Sequence, residues 1–453
     1  MTLRLYSVFT FVAISAVWLI FLSVSVSEFR AVFLLAPPPP PTSRLNTSAK
    51  SKESLSFTNA MREFQWDDLI NSADDPHENA RVVSDYIETV SVFAMKEPLV
   101  EINQDTCKSP PPLPDPTLID CRKYPNASFT GLRREKPVRV VRMVQFGFDV
   151  DVLEIHLREL YDVVDYFFIL ESTRTHLKGV RKPLIWEAVR LQERFAIFSE
   201  KVVHLILDDV VSSLPSSEKS NIFALQDIQE RILAEELLNW NSKQSQPPLN
   251  SDDLIGFGDT DEVTDRLNVH LLKHCQIQAD SIDIGIWFPM GRLNNAFRTD
   301  WPVPGYSYSL GDPSYLTLNH VKNVLASGKI PTGARGRSGH FLLGGMHMTR
   351  HQFVPFLMLN YASCGECDGL KNKEFLNNLK HVMMSGDFPS MEKFWIDINM
   401  SPFTSRIIPR DQLPPEQTAI VHIPWFLACQ PERYPYWSGK HDSRLDHDHG
   451  DGI

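Results

Sequence analysis

Between Val138 and Phe288 the chain alternates two kinds of apolar pattern. "VRVVRMVQFGF" (Val138–Phe148) is a β-branched run that predicts a strand, and "VDVLEIHLREL" follows it with Val152, Leu153, Ile155, Leu157 and Leu160 at near-helical spacing. The cycle then repeats. Strands are expected over "DYFFILES" (Asp165–Ser172), "KVVHLIL" (Lys201–Leu207), "DDLIGF" (Asp252–Phe257) and "SIDIGIWF" (Ser281–Phe288). Helices are expected over "IFALQDIQERILAEELLNW" (Ile222–Trp240) and "DRLNVHLLKHC" (Asp265–Cys275). Strands alternating with helices predict an α/β fold with a mostly parallel sheet flanked by helices. Ligands of such sheets bind outside the carboxyl ends of the strands. Two acidic strand ends therefore stand out, Glu171-Ser172 and "GFGDTDEVTDR" (Gly256–Arg266).

The N-terminal pattern is different. Leu5–Val26 carries no charge, and about 20 apolar residues suffice to cross a bilayer. The expectation is a cytosolic tip at 1–4 and an uncleaved transmembrane signal anchor at 5–27. Prolines cluster at Pro37–Pro41 and Pro110–Pro116, so residues 28–135 read as an extended stem. The compact domain is expected at 136–437 and a disordered tail at 438–453. Asn46 and Asn126 head glycosylation sequons beyond the anchor, and all six cysteines also lie beyond it. That pattern suits a lumenal, oxidising compartment and a single-pass type II orientation. Cys107 and Cys121 flank the second proline run and are expected to pair. The formal net charge of −11 argues against a nucleic-acid partner.

The acidic stretch admits two readings. Carboxylates at a strand-to-helix turn commonly cap the next helix, and Asp265 is assigned that role. Asp259 and Asp261, one residue apart, supply hard oxygen ligands suited to Mn²⁺ or Mg²⁺, cations usually completed by a substrate's phosphates. The chain has neither a "GxxxxGK[ST]" loop nor a GxGxxG fingerprint, so kinase, NTPase and dehydrogenase readings lack their motifs. An Asp-x-Asp after a strand, in a membrane-anchored lumenal α/β domain, fits a nucleotide-sugar glycosyltransferase. Cys364 and Cys367 form an isolated CxxC, for which a structural role is expected.

"FDVDVLEIHLRELYDVVDYFFILESTRTHLKGVRKPL" (Phe148–Leu184) resembles the opening segment of glycosyltransferase family 17, the family of N-acetylglucosaminyltransferase III. "DDLIGFGDTDEV" is similar to that family's acidic motif, with Asp259, Asp261 and Glu262 on its acidic positions. "GGMH" (Gly344–His347), "CGEC", "SGDFP" (Ser385–Pro389) and "IPWFLACQPERYPYW" resemble later blocks. The chain departs at Met346, where the family has Trp, and at Val263-Thr264, where it has Ile-Pro. The resemblance implies a GT-A-like sheet that binds a nucleotide sugar. It implies transfer of N-acetylglucosamine from UDP-N-acetylglucosamine to the β-linked mannose of an N-glycan core, with inversion, on Golgi glycoproteins. Candidate catalytic carboxylates are Asp387, Glu171 and Glu262. Ser172, His347, Arg335 and Arg337 are candidates for substrate binding, with Asp259 and Asp261 for the cation. Two alternatives stay open, a relative with another donor or acceptor and a non-catalytic, membrane-anchored glycan-binding protein.

Overall fold

A computed structural model describes residues 66–94, 107–123, 128–208, 224–298 and 313–348, with short gaps, and parts of 373–437. Helices α1 (Trp66–Asn71) and α2 (Pro76–Ala94) precede strands β1 (Phe129–Arg133) and β2 (Val140–Phe146). Then come α3 (Val150–Leu160), β3 (Tyr166–Ser172), α4 (Ile185–Val189), α5 (Glu193–Ala196), β4 (Val202–Leu207), α6 (Ala224–Lys243) and β5 (Leu254–Phe257). β6 (Glu262–Thr264), α7 (Arg266–His274), β7 (Cys275–Ile277), β8 (Ser281–Trp287), β9 (Pro289–Met290) and β10 (Arg292–Arg298) follow. The remaining described elements are β11 (Ser314–Thr317), α8 (Leu318–Ala326), β12 (Phe341–His347), β13 (Arg406–Pro409), α9 (Pro415–Thr418) and α10 (Trp425–Cys429).

The main sheet has the order β4-β3-β2-β5-β11-β8-β12-β6. Four of its neighbouring pairs are parallel: β4 with β3, β3 with β2, β2 with β5, and β8 with β12. Three are antiparallel: β11 with β5, β11 with β8, and β12 with β6. The sheet is therefore mixed, where a mostly parallel one was expected. The two strands that run against the parallel set, β11 and β6, have only four and three residues. Strands that short carry no alternation for a period-based reading to find.

Both faces of the sheet are covered. Along β2, Val140, Val144 and Phe146 join the cluster holding Leu153 and Leu157 of α3 and Val269 and Leu272 of α7. The alternate residues Val141 and Met143 meet Leu233 and Leu237 of α6 and Leu318 and Val321 of α8. Burial on two faces explains why these strands read as continuous apolar runs. Each such side chain contributes roughly 1.5–3 kcal/mol.

Described parts of the segment read as a stem pack on this core. Leu69 and Ile70 of α1 and Val82, Val83, Tyr86 and Ile87 of α2 lie in the same cluster as α3 and β2. β1 pairs antiparallel with β7, and Ser128 Oγ donates to the Phe341 carbonyl at 2.7 Å. The expected Cys107–Cys121 bond is not formed. Cys107 bonds Cys429 and Cys121 bonds Cys275, across 322 and 154 residues of chain. The five prolines between Cys107 and Cys121 favour extended backbone, which carries each cysteine to a distant partner. Among the described residues no helix is long and apolar enough to cross a membrane. The anchor expected at 5–27, the sequons at Asn46 and Asn126 and the tail at 438–453 lie outside the described residues.

Candidate functional site

β5 ends at Phe257, and Gly258-Asp259-Thr260-Asp261 turns the chain into β6. This is the carboxyl end of a parallel strand, and Asp259 still bridges to Gln145 of β2. Four consecutive carbonyls of the turn are engaged. Asp259 O accepts from Glu262 N (3.2 Å) and Asp261 O from Met348 N (2.6 Å). Thr260 O lies 2.8 Å from His156 Nδ1, and Glu262 O accepts from Arg142 Nη2 at 2.8 Å. Thr260 is buried and donates through Oγ1 to Gln145 O at 2.5 Å. Glu262, also buried, accepts from Asp259 N at 2.9 Å. Alternate residues therefore take opposite sides: Thr260 and Glu262 are enclosed, while Asp259 and Asp261 keep partial exposure. A Cβ on Gly258 would sit 2.5 Å from Arg142 Nη2 and 2.7 Å from Glu262 Oε2. Only glycine lets the guanidinium and the carboxylate close up behind the turn.

β12 completes the site from the other side. His347 stands opposite Glu262 in the β12–β6 register. Gly345 permits this approach: its φ is +156°, and a Cβ there would meet Val263 O at 2.6 Å. His347 Nε2 is 3.5 Å from Asp261 Oδ2, and the ring packs edge-on against Phe288 with centroids 4.8 Å apart. Burial pulls the imidazole pKa down. The charges of Asp261, Glu262 and Asp259 and the hydrogen bond to Asp261 outweigh it, and the net shift is upward. That shift reports a negative field at the turn, the field a divalent cation requires. With two carboxylates as hard donors, the residues present fit Mn²⁺ or Mg²⁺.

A second cluster lies nearby. Glu159, Asp265 and His422 each offer a ligand atom, all within 4.8 Å of one another, and no other such trio occurs among the described residues. Its donors are already committed. Glu159 Oε1 lies 2.8 Å from His422 Nε2, and Glu159 Oε2 accepts from Trp425 N at 2.7 Å. Asp265 Oδ1 accepts from Leu267 N at 2.8 Å and caps α7, as the sequence suggested. Burial pulls the His422 pKa down, but the hydrogen bond to Glu159 and the charges of Glu159 and Asp265 carry it upward. The trio is a hydrogen-bonded lock between α3, α7 and the chain around α10.

Glu171 and Ser172 end β3 as expected, but the structure turns them inward. Glu171 is fully buried and accepts from Ile185 N (2.8 Å) and Trp186 N (3.0 Å) at the start of α4. His204 Nε2 lies 3.0 Å from it and Lys182 Nζ 3.6 Å. Its oxygens hold a helix end and a buried cation. Ser172 Oγ accepts from Arg174 N at 3.1 Å. Asp387, Arg335, Arg337 and the Cys364–Cys367 pair lie outside the described residues.

Residue-by-residue reading missed Arg142, His156 and Glu154. Each had a signal. Arg142 interrupts the β-branched run of β2, and a charge fully buried in a strand requires partners. Glu154 and His156 sit among the apolar positions of α3 and are likewise fully buried.

Residues 127–287 match a protein-family model. That model describes glycosyltransferase family 17. The family-17 segment begins just before β1 and ends with β8, so it holds β2, α3, β3 and the whole acidic turn. The rat protein named beta-1,4-mannosyl-glycoprotein 4-beta-N-acetylglucosaminyltransferase is 26% identical over 158 residues, 35% of this chain and 27% of the relative. The human protein of the same name is 26% identical over the same length, 28% of its own chain. The match thus spans little more than a quarter of these relatives' length. β12, with His347, and everything after it lie beyond the family-17 match.

Proposed function

We propose that the protein is a cation-dependent, inverting glycosyltransferase with a GT-A-like nucleotide-sugar sheet. In this reading it moves N-acetylglucosamine from UDP-N-acetylglucosamine to the β-linked mannose of N-glycans, forming a β-1,4 linkage. The observation that carries it is the pair Asp259 and Asp261, held partly exposed at a carboxyl-terminal sheet edge within the family-17 segment. The relatives' printed name supports the sugar and the acceptor. Two disulfides support a lumenal, oxidising setting, consistent with a Golgi type II protein anchored at 5–27.

Breaking the anomeric C–O bond places positive charge on the sugar and negative charge on the departing diphosphate. A divalent cation held by Asp259 and Asp261 would supply electrostatic stabilisation of that leaving group. The chain's own contribution is the rigid turn that presents the two carboxylates and the His347 side chain beside them. Inversion also needs a carboxylate to accept the acceptor hydroxyl's proton on the opposite face. Glu171 and Glu262 are committed to backbone amides, so Asp387 in "GDFP" is the proposed base.

A relative with a different donor or acceptor is the second reading. It is favoured by the end of the family match at Trp287, which leaves the later elements free to differ. The test is to incubate the full-length chain with a panel of UDP- and GDP-sugars, Mn²⁺ and an N-glycan glycopeptide. Transfer from UDP-N-acetylglucosamine alone is expected. Transfer from only a GDP-sugar would reject the donor assignment, and glycopeptide binding without any transfer would favour a non-catalytic protein.

A further inference from the structure

Behind the acidic turn lies a chain of buried polar groups that the proposed reaction does not use directly. Arg142 projects from β2 and His156 from α3; both are fully buried. Arg142 Nε lies 3.1 Å from His156 Nε2, and His156 Nδ1 lies 2.8 Å from the Thr260 carbonyl. The chemistry of the two ends fixes the middle. A guanidinium carries only donors, so His156 Nε2 must accept. The one ring hydrogen of a neutral imidazole then resides on Nδ1 and is donated to the Thr260 carbonyl. Burial, reinforced by the neighbouring Arg142 charge, holds the His156 pKa down to about 3, so the ring stays neutral wherever aspartates are ionised. Through Nη2 the same guanidinium holds the Glu262 carbonyl. Thr260 lies between the two aspartates, and Glu262 follows the second of them. The pair thus grips the turn at both places where it faces inward.

We propose that Arg142 and His156 are positioning residues of the cation-binding turn: Arg142 sets the His156 tautomer, and His156 holds the Thr260 carbonyl so that Asp259 and Asp261 are presented together to a divalent cation. This rests on the cation reading given above. It adds that affinity for the ion depends on a hydrogen-bond relay that never touches it. Partners one step behind metal ligands commonly govern affinity about 10–100-fold. Losing the His156 donor leaves a buried carbonyl unsatisfied and lets the turn relax. An asparagine at 156 can place its amide nitrogen where Nδ1 stands and so retain the donor.

The test is Mn²⁺ binding to the full-length chain, measured by isothermal titration alongside the melting temperature, for wild type, His156→Leu, His156→Asn and Asp261→Ala. Expected are binding by wild type, loss in Asp261→Ala, at least about tenfold weakening in His156→Leu, and retention within about threefold in His156→Asn. Folded His156→Leu that binds Mn²⁺ as tightly as wild type overturns the positioning inference and leaves the cation reading intact. Wild type that binds no Mn²⁺, or Asp261→Ala that binds equally well, overturns the cation reading itself. Nitrogen chemical shifts of the wild-type His156 ring give a readout that needs no variant. A protonated Nδ1 with an unprotonated Nε2 is expected, and the opposite tautomer overturns the relay even where His156→Leu fails to fold.

Discussion

His347 Nε2 lies 3.5 Å from Asp261 Oδ2, joining a strand beyond the family-17 match to the acidic turn within it. The negative charge of Asp261 is the first of the influences that raise the His347 pKa against the pull of burial, and the same carboxylate is the one proposed to hold a cation. Asp261→Asn keeps the shape of the turn and removes the charge. It is expected to abolish detectable Mn²⁺ binding and lower sugar transfer by roughly 10²-fold or more, the scale of losing a preorganised electrostatic group. Unchanged transfer in the variant, measured with saturating donor, would remove Asp261 from the mechanism.

Gly258 tests the close approach behind the turn. Gly258→Ala sets a methyl group 2.5 Å from Arg142 Nη2 and 2.7 Å from Glu262 Oε2, so one of the buried groups must shift. A stability loss of roughly 1–3 kcal/mol, the range for overpacking, should appear in urea denaturation together with weaker Mn²⁺ binding. A variant as stable as wild type would mean the turn has room the geometry denies it.

His156 gives a pH dependence of definite sign. Its folded pKa is about 3 against an ordinary 6.5. Between those values the unfolded chain binds the proton and the folded chain does not, so stability falls as pH drops below about 6.5. At about pH 5 the contribution is roughly 2 kcal/mol, taking 1.36 kcal/mol per unit. Between about pH 7.5 and pH 5, wild type should lose about that much more denaturation free energy than His156→Asn does. Equal losses would show that the ring takes up its proton in the folded state.

The second half of the chain is held to α3 by charge. Glu154, fully buried, lies 2.5 Å from Arg433 Nη2 and 3.0 Å from Arg158 Nε, and accepts from Tyr434 Oη at 3.3 Å. Arg433→Met removes one partner of a buried carboxylate and should cost about 2–4 kcal/mol, moderated by Arg158 and Arg194, which both remain beside it. Glu154→Gln combined with Arg433→Met removes the charge mismatch and should recover part of that loss. If the double variant is no more stable than Arg433→Met alone, the pair is not coupled.

Much of the sheet was legible because β2, β3, β5 and β8 each bury both faces and so announce themselves as apolar runs. β4, at the sheet edge and only partly buried, is apolar enough to read as a strand. Asp265 as a helix cap was legible for a local reason: its carboxylate meets an amide two residues on. What stayed hidden depends on long-range contact. β11 and β6 are too short to carry a period, and the disulfides join residues 154 and 322 apart. Glu171 sits at the carboxyl edge, as expected. Nothing in its own segment told that Ile185 and Trp186 would turn their amides to it. Sequence locates a charge along the chain; whether it faces a ligand or a helix end is decided by the elements packed against it.

The cation's position is the most direct test of the whole account. Crystals of the full-length chain soaked with Mn²⁺ and UDP should give an anomalous manganese peak bounded by Asp259 and Asp261, with the diphosphate on its far side. A peak within the Glu159, Asp265 and His422 cluster, or a nucleotide bound away from the edge where β2 and β5 end, would contradict it.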